Sequence, residues 1–104
     1  MKIQDLFESG GYRLKDLCQI STDFPDAHFW ITRRGSEDSV GAVTKEYNKE
    51  SFGIGVTRPD IILPDYLYYA MMNLHMSGYW KGKARGALQL VHIRREDVEN
   101  IQLG

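Results

Sequence analysis

The sequence predicts a mixed α+β fold, and three stretches carry that prediction. His28 to Arg33 (HFWITR) is aromatic and β-branched, the composition of a strand. Phe52 to Thr57 alternates bulky residues with glycine, a second strand signal. Pro64 to Gly78 places Leu67, Ala70, Met71 and Leu74 on one helical stripe. The expected architecture is one compact domain over residues 1–104, with a small mixed or antiparallel sheet, several short helices and an N-terminal extension over residues 1–11.

The elements follow in chain order. Ile3, Leu6 and Phe7 hold an i, i+3, i+4 spacing that predicts a helix from Met1 to Ser9, stopped by Gly10 and Gly11. Leu14, Leu17 and Cys18 repeat the spacing, so a second helical turn is expected from Tyr12 towards Ile20. Ser21 to Asp26 reads as a loop. After the aromatic strand, Gly35 to Ser39 forms a turn and Val40 to Thr44 returns as a strand. The glycines of Phe52 to Thr57 imply another backbone passing closely, and Ile61 to Leu63 is a short buried segment. Pro64 suits a first helical turn, where its missing N–H is no loss, and Asp65 suits the positive helix end. Gly78 fits the helix stop. Tyr79 to Gly86 (YWKGKARG) reads as a basic, glycine-punctuated loop, with Tyr79 and Trp80 anchoring it to the core. In Ala87 to Ile93, Leu88, Leu90 and His92 alternate with Ala87, Gln89 and Val91, a strand, and Arg95 to Ile101 is a last short helix.

Composition sets bounds on function. A chain of 104 residues buries roughly 65% of its unfolded surface, enough for a core without staples. The single cysteine excludes an intramolecular disulfide, and no Cys/His cluster has zinc spacing. Apolar runs are too short to span a bilayer and the Met1-Lys2 start lacks a signal-peptide core, so a cytoplasmic protein without a membrane partner is expected. The net charge of -1 hides an asymmetry. Tyr66 to Arg95 contains Lys81, Lys83, Arg85, Arg94 and Arg95 and no acidic residue, between two segments that are each acidic in balance.

Catalytic patterns are lacking. The carboxylate pairs Asp23/Asp26, Glu37/Asp38 and Glu96/Asp97 lie in polar turns or at a helix start, where solvation and capping explain them. His28, His75 and His92 are scattered and read as half-buried structural residues, and Cys18 as a packed one. Gly53 and Gly55 lack the third glycine and following helix of a dinucleotide fingerprint. No enzyme activity, cofactor or metal is expected. Lys81, Lys83 and Arg85 alternate with Gly82, Ala84 and Gly86, letting the backbone lie close to a surface while long side chains reach anions. Arg33 and Arg34, ahead of Gly35, offer a second such turn.

These segments occur in an order that resembles a target recognition domain of the specificity subunit of type I restriction–modification enzymes. Tyr12 to Ile20 (YRLKDLCQI) is similar to the helix and strand that open such domains. Leu63 to Tyr69 (LPDYLYY) resembles the family's helix start, and Lys83 to Gly86 its small basic loop. Val91 to Leu103 resembles the closing strand and helix, and Gly35 and Gly41 sit where the family carries a glycine-rich segment. The resemblance covers roughly Tyr12 to Leu103. It implies a module that reads half of a bipartite double-stranded DNA site, with methylation and cleavage left to partner subunits. Lys81 and Lys83 would then hold phosphates, Arg85 and Gln89 would meet base edges, and Arg33 and Arg34 would assist. That role requires Arg33 and Arg85 to share one positive face. The family carries two such domains and a long helix after each. Here there is one domain and the chain stops at Gly104, where that helix would begin, so methyltransferase docking by that route is not expected and a half-site reader calls for a second copy of the chain. Methyltransferase or restriction subunits are the other partners the resemblance implies. The alternative is an interaction module that binds or modulates such subunits without touching DNA.

Overall fold

Leu14 and Leu17 pull the opening of the chain inward in this computed structural model, which describes residues 11–87 and 90–103. The helix expected from Met1 to Ser9, and with it Leu88 and Gln89, lies outside the described residues. Strand β1 (Tyr12–Arg13) runs into helix α1 (Leu14–Leu17), whose turn is closed by the Arg13 amide donating to Asp16 Oδ2 at 2.8 Å. The helix ends at Leu17 rather than towards Ile20. From Cys18 the chain is strand β2 (Cys18–Ser21), with Cys18 and Ile20 buried and Gln19 exposed, a period of two. Pairing with a distant strand outweighs the local helical spacing.

That partner is β6 (Phe52–Val56), buried along its whole length. It sits inside an antiparallel four-stranded sheet of order β2-β6-β3-β5, with β3 (Phe29–Ile31) and β5 (Val43–Thr44). The close approach at its glycines is made by side chains, chiefly Phe24, and not by a backbone. A Cβ on Gly53 would lie 2.8 Å from Phe24 Cβ, and one on Gly55 2.8 Å from Phe24 Cζ. The returning strand is shorter than Val40 to Thr44. Val40 and Gly41 belong to a turn, and Gly41, at φ +88°, has the Trp80 indole packed where a side chain would go.

Helix α2 (Pro64–Met76) buries Leu67 and Met71, with Leu74 packed at the core's margin. Ser77 N–H bonds Asn73 O, and Gly78, in the left-handed region at φ +85°, donates to His75 O. Of Ile61 to Leu63 only Ile62 is fully buried, and Leu63 is exposed. The expected basic loop is ordered into two elements: a 3₁₀ turn over Tyr79–Gly82, which buries Trp80, and strand β7 (Arg85–Ala87).

The single strand expected from Ala87 to Ile93 is instead the second half of a hairpin. Strand β8 (Leu90–His92) pairs antiparallel with β7 on one side and with β4 (Arg34–Gly35) on the other, giving a three-stranded sheet of order β4-β8-β7. Helix α3 (Arg95–Glu99) and strand β9 (Gln102–Leu103) close the fold, with β9 pairing antiparallel to β1. The described residues form a compact α+β domain of three small antiparallel sheets around one core, in which Phe29, Ile31, Ile54, Leu67, Trp80 and Val98 are among the most buried side chains.

Candidate nucleic-acid interface

The ladder of the three-stranded sheet sets Arg34 opposite His92, and His92 opposite Arg85. Residues directly opposite across antiparallel strands share a face, so these three form one row. At the usual strand spacing its outer members are about 10 Å apart between Cα atoms. Val91, one residue back, points the other way and is buried, as is Ile93. The second row of the outward face pairs Leu90 with Ala87, both exposed.

Beside this face lies an open groove of about 680 Å³. Arg33, Arg34, His92, Arg94 and Arg95 line it, with Thr22 and the apolar Phe52, Leu90, Val91 and Ile93. Among the described residues no carboxylate belongs to the lining. The arginines come from two distant segments because Ile93 N–H donates to Arg33 O at 2.9 Å, clipping the end of the hairpin to the residues before β4.

Each arginine is held, but loosely. Arg33 is the most fixed: its Nε donates to the Glu50 carbonyl at 2.9 Å, one terminal nitrogen meets Glu50 Oε2 at 3.1 Å, and its guanidinium lies over the Phe52 ring. Arg34 shares the same Oε2 at 3.2 Å. Arg94 meets Glu96 at 3.0 Å, Arg95 meets Glu99 at 3.7 Å, and Arg85 reaches Asp97 at only 3.8 Å. Asp97 is already engaged by the Arg94 amide at 2.8 Å, which caps α3. Exposed pairs of this kind contribute about 0–1 kcal/mol each, so a polyanion can replace the carboxylates at little cost.

Of the residues singled out in the sequence, Arg33 and Arg34 line the groove, while Arg85 stands in one row with Arg34 across His92 and outside the groove lining. Lys81 and Lys83 do not line the groove. Lys81 Nζ lies 3.0 Å from Asp38 Oδ1, and this hydrogen-bonded carboxylate raises the lysine pKa above its ordinary value. Lys83 lies over the Tyr79 ring. Gln89 is outside the described residues. Gly86, at φ +117°, is small because Leu90 O of the facing strand leaves no room for a Cβ, so its reason is the hairpin itself. The residues that sequence reasoning missed are His92, Arg94 and Arg95. Both arginines belong to the acid-free stretch, which was their signal.

Catalytic chemistry has little to work with among the described residues. Burial pushes the Cys18 thiol up to about 12, so it stays protonated at neutral pH. Cys18 is packed as expected, but on a strand and not on a helix face. His28 is exposed at its surface edge and its Nδ1 accepts the Val56 N–H at 3.0 Å. His75 lies at the end of α2 with Nε2 2.8 Å from the Asp38 carbonyl, which can only accept, so that nitrogen carries the proton. Within the described residues no three His, Cys, Asp or Glu side chains converge as a metal site, and no helix is long and apolar enough to cross a membrane.

No protein-family model and no curated protein matches this sequence. The fold does have a counterpart among solved structures, the crystal structure of the S subunit of a type I restriction–modification system from M. genitalium, with a TM-score of 0.67 at 12% sequence identity. The match covers 88% of this chain and 33% of that one, so the chain spans a third of that subunit's length. At this identity the likeness establishes the fold.

Proposed function

We propose that this chain is a non-catalytic module that binds double-stranded DNA, in the manner of one recognition domain of a type I specificity subunit. The observation that carries the reading is the groove lined by four arginines and His92, with no carboxylate among the described lining residues, and flanked by the Arg34–His92–Arg85 row. The structural likeness to an S subunit supports it. Arg34, Arg94 and Arg95 hold phosphates, while Arg33, pinned by Glu50 and Phe52, shapes the groove floor. Arg85 and Gln89, on and after β7, meet base edges, where a guanidinium can bridge guanine O6 and N7. Lys81 and Lys83 add phosphate contacts outside the groove. One module covers half a site, so a second copy or restriction–modification subunits complete the assembly.

The test is duplex binding across a salt series. For wild type, log affinity should fall with log salt by about 0.9 for each phosphate contact. Arg34→Ala/Arg94→Ala/Arg95→Ala should flatten that slope by about 2.7, and Lys81→Ala/Lys83→Ala by about 1.8 at most. No binding by wild type, or equal, salt-insensitive binding by wild type and the triple variant, refutes the reading.

One observation favours the protein-interaction alternative. Helix α2 presents Tyr66, Tyr69 and Met76 to solvent, more apolar surface than its capping or packing requires. Co-purification with the methyltransferase and restriction subunits of a type I system, together with no duplex affinity, would select it.

A further inference from the structure

We infer that Leu90 reads a base, by packing against the C5 methyl group of thymine in the major groove. The inference rests on the DNA-binding reading above. Leu90 is 74% exposed, as open to solvent as any large apolar side chain in the described residues. Its outward direction is locked by the pleat: Val91 and Ile93, at 7% and 2% exposure, occupy the core side of the same strand. A lone exposed leucine needs no explanation by itself. This one lies opposite Ala87, one step of two residues (about 6.8 Å) from the Arg34–His92–Arg85 row, and also lines the arginine groove.

An apolar spot bordered by cations matches a surface that is apolar within and anionic at its edges. The major groove offers that arrangement, with the thymine methyl on its floor and phosphates along its walls. The dimensions agree. A two-stranded ribbon such as β7–β8 enters a groove about 12 Å wide, and the third strand then carries Arg34 to the phosphate wall about 10 Å from Arg85. An anionic membrane would also attract the arginines, but among the described residues of this sheet face Leu90, beside a concave groove, presents too little apolar surface to a bilayer.

The experiment uses a 30-base-pair duplex enriched by the wild-type chain from a randomised pool, then synthesised with thymine or with uracil, which lacks only the methyl. Wild type should bind the uracil duplex about fourfold more weakly, the effect of leaving one methyl group unburied. Leu90→Ala should bind both duplexes equally with its salt slope unchanged, and Leu90→Met should keep the discrimination. Equal binding of both duplexes by wild type, retained discrimination in Leu90→Ala, or an enriched site without thymine overturns the inference while leaving DNA binding intact. No affinity for any duplex, or tighter binding to vesicles of anionic phospholipid, overturns the DNA reading itself.

Discussion

Among the described residues Glu50 is the one carboxylate that touches two arginines of the groove, and its removal is the sharpest test of what the groove is for. Its Oε2 meets Arg33 at 3.1 Å and Arg34 at 3.2 Å, with the carboxylate 66% exposed. In Glu50→Gln the Arg33 Nε bond to the Glu50 carbonyl at 2.9 Å is a main-chain contact and survives. The carboxylate of the two lost pairs is exposed, so at about 0–1 kcal/mol each folding stability should drop by less than about 2 kcal/mol. On the DNA side the substitution deletes a charge that competes with phosphate for both guanidiniums, equivalent to roughly one more phosphate neutralised. Affinity then gains a factor set by the salt concentration to the power of about -0.9, which at physiological ionic strength is about fivefold. Fluorescence anisotropy with a labelled duplex measures both the gain and its salt dependence. The gain should shrink towards nothing near 1 M salt. An unchanged or weakened affinity in a variant of normal stability would falsify the assignment of this groove to phosphates.

Two further predictions concern the scaffold. Gly41→Ala demands a left-handed backbone from a residue with a Cβ and drives that Cβ into the buried Trp80 indole. It should cost about 3 kcal/mol or more, lowering the melting temperature by more than 10 °C, and a loss below about 1 kcal/mol in urea unfolding would contradict the packing described. Cys18 is raised by burial from its ordinary 9.0 to about 12, so the folded state holds its proton more tightly than the unfolded state. Its stabilising contribution is complete below pH 9 and is lost as pH rises towards 12, at up to about 1.4 kcal/mol per pH unit. Urea midpoints of wild type and Cys18→Ala from pH 8 to 11 should therefore converge with rising pH, and parallel curves would show that the thiol is not desolvated.

What the sequence made legible is what local chemistry decides. Helix α2 was readable from Pro64 to Gly78 because its cap, stripe and stop lie within one segment. The aromatic strand and the acid-free stretch were readable for the same reason. Where the reading failed, a partner distant in sequence made the choice. Cys18 belongs to a strand because Val56 sits opposite it, and no local spacing announces that pairing. Arg33 and Arg34 meet Arg94 and Arg95 only because the hairpin's far end bonds to the Arg33 carbonyl, sixty residues away in the chain.

The hairpin shows how such a miss bears on function. Treated as one continuous strand, Ala87 to Ile93 offers two leucines on one side, and apolar alternation would send that side to the core. In the hairpin it is the other side, Val91 and Ile93, that packs on the core, and Leu90 and His92 face outward. The break after Ala87 sets Arg85, opposite His92, on Leu90's face and leaves Gly86 fitted against the Leu90 carbonyl. A substitution that disturbs Gly86 therefore moves Leu90 and Arg85 together. Gly86→Ala should impair both the salt-dependent and the thymine-dependent parts of binding at once, whereas Leu90→Ala and the arginine variants each remove only one.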